Sequence, residues 1–255
     1  MPDFASSQRV RASEERIDGM VDCETELRMT VNRLMRTNDT LKRVVLVTRH
    51  DLQEPIRTIN AGCEHILENG ATAATFESIL RSTARLSEII QALLSYCVVI
   101  AAKEAAWADT CLEGVCQEVE FRLAAEIANT GARIMRKSLP TVCCDRDGMV
   151  QVFKNLISNG IKYRRNDAVP SIDISADRTG DEWLITVTDN GIGFDSHQAD
   201  RIFEPFCRLH GNEIPGSGIG LAICRSIIEQ HGGKIWARNS PDSGSTFCFT
   251  LPCPD

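Results

Sequence analysis

Apolar residues recur in a three-four rhythm from Ile17 to Ile66, and this run constrains the fold more tightly than any other feature of the sequence. With Ile17 set at heptad position a, Val31, Val45, Leu52, Ile59 and Ile66 also fall at a, while Met20, Leu27, Leu34 and Leu41 fall at d. Two apolar positions per heptad make a stripe too narrow to cover a globular core and suited to a partner helix. Glu24 and Asn38 also occupy a, where an asparagine fixes register and partner number at some loss of stability. A long helix lying on some other core is the competing arrangement. The length and narrowness of the seam favour a parallel dimer. Asn69-Gly70 stops the helix. A second run follows at once, with Phe76, Ile79, Thr83, Leu86, Ile90, Leu93, Cys97 and Ile100 at heptad spacing. Two antiparallel helices joined by a short loop form a hairpin, and one hairpin cannot close a core. Two copies make a four-helix bundle, so a homodimer is expected.

Beyond about residue 104 the period changes. Asp109 or Thr110 is placed to cap a helix reaching Ala128, with Gly131 ending it. RIMRKS and the residues before Pro140 read as a strand, and residues 146–164 read as a helix. SIDISADR, EWLITVTD, GKIWARN and GSTFCFTL alternate as strands between Gly, Asp and Ser turns, and GLAICRSIIEQH reads as a helix behind a glycine-rich segment. One sheet layer under one helix layer is an α/β sandwich. The fold class is therefore α + α/β. A coiled coil spans 1–46, a helical hairpin over 47–102 builds the dimeric four-helix bundle, and the α/β sandwich occupies 103–255, with a flexible joint near 101–108.

A net charge of −7 argues against a general nucleic-acid or membrane-surface binder, both of which favour basic patches. No apolar run reaches the length of a membrane span. The best candidate, IIQALLSYCVVIAA, is short and broken by Gln91 and Ser95. The N-terminus has no apolar signal-peptide core, so a cytoplasmic protein is expected. Eleven cysteines form no CxxC pair and lie mostly among apolar neighbours, as small buried hydrophobes do in a reducing compartment. No paired spacing points to a structural metal.

The chemistry begins at RHDLQEP, where the register puts His50 at f and Asp51 at g, outside the seam. An exposed imidazole is largely neutral near pH 7 and can act as a nucleophile, and a neighbouring carboxylate can hold its ring proton. Pro55 removes a helical hydrogen bond and bends the chain beside it. On its own, a polar patch on a solvated face is the commoner explanation. The second half supplies a reactant. DNGIGFD follows a strand and GSGIGLA opens a helix, and such glycines let backbone N–H groups approach phosphates. Asn155 and Asn159 lie one turn apart on an earlier helix, where amide oxygens can complete a magnesium shell rich in phosphate oxygens. Lys162, three residues on, can reach a phosphate, and Asp189 at a strand end offers an acceptor to an adenine amino group. Each element alone reads as a turn, a cap or a solvated face. All of them in this order do not.

In that order these motifs resemble the catalytic core of the sensor histidine kinases of two-component signalling. RHDLQEP is similar to the phosphoacceptor box, in the form found in phytochrome-type and related sensors. QVFKNLISNGIKY resembles the asparagine box, DNGIG the first glycine box, IFEPFCRLH the phenylalanine box and GSGIGLAI the second glycine box. The likeness runs from about residue 40 to 252. It implies that ATP and Mg²⁺ are used, that His50 accepts the γ-phosphoryl group, and that Asp51 orients His50 and takes its proton. It implies that Asn155 and Asn159 hold phosphates and Mg²⁺, with Asn159 as the metal residue. Lys162 contacts phosphate, Tyr163 flanks the nucleotide, and Asp189 binds adenine in a pocket shaped by Gly191 and Gly193. Gly216, Gly218 and Gly220 cradle phosphates, and Arg208 brings a cation near the γ-phosphate. Residues 195–217 form a lid anchored by Phe203 and Phe206. The phosphoryl group is passed to an aspartate of a separate response regulator. Residues 1–46 are too few for a sensor domain, so an upstream sensor domain or sensor partner supplies the signal.

Two positions depart from the pattern. Glu54 stands where Thr or Asn positions a water for dephosphorylation, so weak phosphatase activity is expected. Gly160 replaces an alanine after Asn159, a change that weakens a helix by about 1 kcal/mol. His65, His197, His210 and His231 lack the phosphoacceptor arrangement. A hydrolysing ATPase of the wider superfamily with DNA gyrase, or a catalytically weak signalling scaffold, are the alternatives.

Overall fold

The computed structural model describes residues 31, 52–101, 107–209, 214, 216–240 and 244–253. The heptad run before Leu52 lies outside the described residues apart from Val31, and so do His50 and Asp51. The chain divides into two compact units, Met1–Val47 and Thr48–Asp255, and the elements below belong to the second.

Helix α1 is described over 52–69. It ends where Gly70 takes φ +83° and donates its N–H to the Ile66 carbonyl at 3.0 Å. Helix α2, Ala73–Ala101, follows, and Thr72 Oγ1 accepts the Thr75 N–H at 3.2 Å, closing the first turn as a cap does. The expected a positions Leu52, Ile59 and Ile66 are half-buried, as are Ile79, Leu86 and Leu93 of α2. Among the α2 residues whose burial is described, the two most buried, Ile89 and Tyr96, are off the expected seam. They belong to a second face that the heptad reading misses. The physical reason is a further contact of α2, which packs on α6 (Gly220–Gln230), where Gln230 Nε2 donates to the Val99 carbonyl at 2.7 Å.

The remaining elements run in the order β1 (Ala108–Cys111), α3 (Leu112–Arg122), α4 (Ala124–Thr130), β2 (Arg133–Arg136), β3 (Thr141–Cys144), α5 (Arg146–Lys162), β4 (Ser171–Thr179), β5 (Glu182–Asp189), α6, β6 (Ile235–Ser240) and β7 (Gly244–Pro252). Five strands form one sheet in the order β2-β4-β5-β7-β6, antiparallel except for β2 beside β4. Helices α5 and α6 pack against each other and reach the sheet, and α5 also packs on α3. Between these layers lie Phe153, Leu156, Ile157, Ile172, Ile174, Ile185, Ile228 and Phe249, all essentially inaccessible.

One expected helix is not a single helix. The segment expected to run from Asp109 or Thr110 to Ala128 opens as strand β1, paired antiparallel with β3. Thr110 caps nothing; it is buried, and its hydroxyl donates to the Ala108 carbonyl at 2.9 Å. The Leu112 N–H donates to Pro140 O at 3.1 Å, so the β1–β3 ribbon holds the first turn of α3 where a cap was expected. The helix then breaks at Leu123, which is buried with φ −97° and ψ 9°. Gly131 does end α4, with φ +67°.

Candidate active site

Strand β5 alternates inward at Ile185, Val187 and Asp189, all buried. A carboxylate therefore occupies the last place in an apolar row, on the face covered by helices. Its Oδ1 accepts the N–H groups of Gly191 at 2.8 Å and Ser245 at 3.1 Å. Burial pushes the Asp189 carboxyl above its ordinary value, opposed by the Gly191 and Ser245 backbone donors and by the Ser245 side chain.

Helix α5 supplies the next wall. Asp145 caps it, its side chain accepting the Asp147 N–H at 3.1 Å. The helix buries Met149, Phe153, Leu156 and Gly160, so Asn155, Asn159 and Lys162 share the flank beside that stripe. Asn155 Nδ2 donates to Gly220 O at 2.9 Å and its oxygen accepts from Gln151 at 3.2 Å, which ties α5 to the first residue of α6. The Lys162 ammonium lies 4.8 Å above the Tyr163 ring. Burial lowers the Lys162 ammonium below its usual value, helped by the Arg208 charge and opposed by Glu88. Burial raises the Tyr163 hydroxyl, opposed by Arg208.

The glycine segments close the site. Gly218 holds φ +71°, and a Cβ there would stand 2.8 Å from the Phe206 carbonyl carbon, so the loop at 216–219 lies flat on the preceding segment. A Cβ on Gly216 would strike Lys162 Nζ. The expected lid anchors Phe203 and Phe206 are both buried. Phe203 packs edge-on to Phe247 at 6.4 Å, with the Arg225 guanidinium 4.7 Å from its ring centre. Phe206 takes φ +63°.

These elements enclose a cavity of about 230 Å³. Of the residues expected at the site, Asn155, Asn159, Lys162, Tyr163, Asp189, Gly193, Gly216, Gly218 and Gly220 line it. Gly191 stands behind it, holding Asp189. Arg208 also lies off the lining, its guanidinium donating to the Ile214 carbonyl at 2.7 Å. Ile202, Cys207, Leu209 and Ser217 of the expected lid line it too, and Ser158, Phe194, Leu221, Ser245 and Phe247, to which the sequence assigns no role, complete the lining. Strand register brings Ser245 and Phe247 there, because Val187 pairs with Phe247 and Thr188 with Thr246. Alternation along GSTFCFTL marks Phe247 as an inward residue, but only the pairing shows which strand it faces.

The same residues place the chain among known proteins. Residues 144–255 match the family described as histidine kinase-, DNA gyrase B- and HSP90-like ATPases, which makes this segment an ATP-binding domain. The chain is 40% identical over 235 residues to cyanobacterial phytochrome A of Nostoc sp. strain PCC 7120, across 89% of this chain and 30% of that protein. Over most of its length the chain is similar to histidine kinases. It spans about 30% of the length of the curated phytochromes it matches. Among solved structures, the catalytic domain of histidine kinase ThkA is 27% identical with a TM-score of 0.51, covering 58% of this chain and 97% of that one. The structure of ThkA in complex with the response regulator protein TrrA matches 87% of this chain and 64% of that one, with a TM-score of 0.71. At 23% identity that likeness carries the fold, here of hairpin and α/β domain together.

Proposed function

We propose that this chain is the core of an ATP-dependent protein-histidine kinase that phosphorylates itself on His50 and passes the phosphoryl group to an aspartate of a separate response regulator. The observation that carries this reading is the cavity that gathers Asn155, Asn159, Lys162, Asp189 and the glycine loops behind a helical hairpin. We assign 47–102 to dimerisation and phosphotransfer and 103–255 to catalysis, with the signal arriving through 1–46 from a sensor domain or partner. Asp189 accepts the adenine amino group in a pocket shaped by Gly191 and Gly193. The Lys162 ammonium and the loop of Gly216, Gly218 and Gly220 hold phosphates, and Arg208 adds charge from the lid at 195–217.

The residues present fit a divalent cation beside those phosphates. Asn159 supplies an uncharged amide oxygen on the cavity wall, which suits Mg²⁺ already ligated by phosphate oxygens. Bound there, Mg²⁺ neutralises charge on the transferring group. The chain's own groups do the rest. Asp51 orients His50, and its carboxylate takes the imidazole proton as the new P–N bond forms and the bond to the β–γ bridging oxygen breaks, releasing ADP. Positioning and charge neutralisation carry most of phosphoryl transfer.

The test is incubation of the chain with γ-labelled ATP and Mg²⁺. Acid-labile, alkali-stable label on the protein is expected, and His50→Ala abolishes it. Label persisting in that variant, or phosphate release with no protein label, overturns the assignment, the latter in favour of a hydrolysing ATPase.

A further inference from the structure

The first glycine loop, DNGIGF at 189–194, is tied at both ends to strands far along the chain. Asn239 of β6 and Ser245 of β7 face each other across the ladder. At the head of the loop, the Ser245 N–H donates to Asp189 Oδ1 at 3.1 Å. At its tail, the Phe194 N–H donates to Asn239 Oδ1 at 2.9 Å. Between them the Ile192 N–H donates to the Tyr163 carbonyl at 2.9 Å. Of these three ties, only the one to Asn239 uses a side chain of the supporting strand. The fit there is close. Gly193 is buried at φ +67°, and a Cβ on it would strike Asn239 Oδ1. A Cβ on Gly244, which precedes Ser245, would strike the Asp189 carbonyl. Phe194 packs against Phe247 with ring centres 6.5 Å apart, and both line the cavity with Asp189 and Gly193. Asn239 is not part of that lining.

On the function proposed above, Asp189 accepts the adenine amino group. Guanine carries a carbonyl oxygen where adenine carries that group, and it repels the carboxylate. To satisfy Asp189, guanine must shift until its ring N–H and its own amino group face the oxygen. A loop fixed at both ends refuses that shift. We infer that Asn239 is a positioning residue for base selection: its amide oxygen holds Phe194 and Gly193 at a set distance from Asp189, so that the cavity takes adenine and excludes guanine. Asn239 touches no nucleotide and exchanges no proton. It acts through the loop, and it sharpens a discrimination that rests on a hydrogen bond matched to one base.

The inference rests on Asp189 reading adenine, and the experiment separates the two. The 255-residue chain is titrated calorimetrically with ADP, GDP and inorganic tripolyphosphate, each with Mg²⁺. Wild type is expected to prefer ADP to GDP. Asn239→Ala and Asn239→Leu both remove the acceptor. Each is expected to weaken ADP by about tenfold while GDP and tripolyphosphate stay within about twofold, so the preference for adenine falls by about tenfold. Asn239→Asp keeps an oxygen at that place and keeps the preference. A merely structural role predicts that all three ligands weaken together. Unchanged selectivity in the Ala and Leu variants, or a uniform loss of all three ligands, overturns the inference and leaves the adenine reading standing. If neither variant shows a cooperative urea transition, Asn239 serves the fold and the inference falls as well. A wild type that binds ADP and GDP alike overturns the adenine reading and the inference with it.

Discussion

A methyl group on Gly160 would stand 2.9 Å from Ile172 Cγ1 and 3.2 Å from Asp189 Cβ. The helix gives up about 1 kcal/mol of propensity at this position, and what it gains is close approach of α5 to β4 and β5 beneath the cavity. Ile172 is fully buried and has no room to retreat. Gly160→Ala is therefore expected to destabilise the domain by about 1–2 kcal/mol in spite of the better helix former, and to weaken nucleotide binding by displacing Asp189. Urea unfolding and titration with a fluorescent ATP analogue check both halves. Asp189 itself has a pH signature. Its folded carboxyl titrates above the ordinary 3.8 because it is buried. As pH rises from that value, the unfolded chain loses this proton first, so ionising Asp189 lowers stability across the window up to the folded value. Asp189→Asn removes that slope while still accepting the Gly191 and Ser245 N–H groups. The ionised form is the better acceptor for an adenine amino group, so wild-type nucleotide affinity falls as pH drops through the raised value. In Asp189→Asn it is lower by about tenfold and flat with pH. Thermal melts and calorimetric titrations from pH 4 to about 8 read out both. Asp189 was legible in the sequence because a carboxylate in line with Ile185 and Val187 breaks an apolar row. The reason for Gly160 was not legible, since it lies in a contact between α5 and strands far along the chain.

The C-terminal end of α6 shows how elements here depend on neighbours distant in sequence. His231 is buried at the C-cap of α6, its Nδ1 2.7 Å from the Ile227 carbonyl and its Nε2 accepting the Asp145 N–H at 2.9 Å. These two bonds require the tautomer that carries its proton on Nδ1. The Trp107 ring stacks on it at 4.7 Å and 11°, just where the chain enters β1. One imidazole therefore joins the end of α6, the cap of α5 and the start of the α/β domain. The sequence reading gave this histidine no phosphoacceptor role, and it could not show these contacts, which span 86 positions from Asp145 to His231. His231→Phe keeps the stack and leaves a backbone N–H without its acceptor. A loss of about 2 kcal/mol is expected, read as a lower urea midpoint of the domain with Trp107 fluorescence as the probe. The same principle explains the elements that the sequence obscured. Strands β1 and β3, four residues each, form a ribbon whose pairing overrides the helix signal of Thr110 with Glu113 three residues later. Longer, strongly patterned elements such as α5, β5 and β7 lay where periodicity and turn residues put them, because each buries a whole face against the core.

At the scale of the whole molecule, the hairpin leaves apolar surface that one copy of the chain does not cover. Phe76, Leu80, Ile90, Leu94 and Val98 of α2 are 42–68% exposed, and Ile56 and Leu67 of α1 add to them. Seven such side chains on two helices make more apolar surface than scattered exposure explains. Phe76 and Ile90 stand two heptads apart, and Leu80, Leu94 and Val98 each follow another of the five by four residues, which sets them along one side of α2 as a four-helix bundle requires. The cavity, by contrast, is lined by residues between Asn155 and Phe247, and none of its lining belongs to the exposed stripe of α2. Association and nucleotide binding should therefore separate. Leu80→Glu/Leu94→Glu places two charges in the stripe, where each would have to shed its water to pack against a second copy. Sedimentation equilibrium is expected to show a dimer for the wild type and a monomer for this variant, while its affinity for an ATP analogue stays within about twofold of wild type. If the variant remains a dimer, the stripe is not the interface. If it becomes a monomer and loses nucleotide as well, the cavity depends on a second copy through the packing of α2 on α6, and the pairing of copies and the shaping of the ATP site are one event.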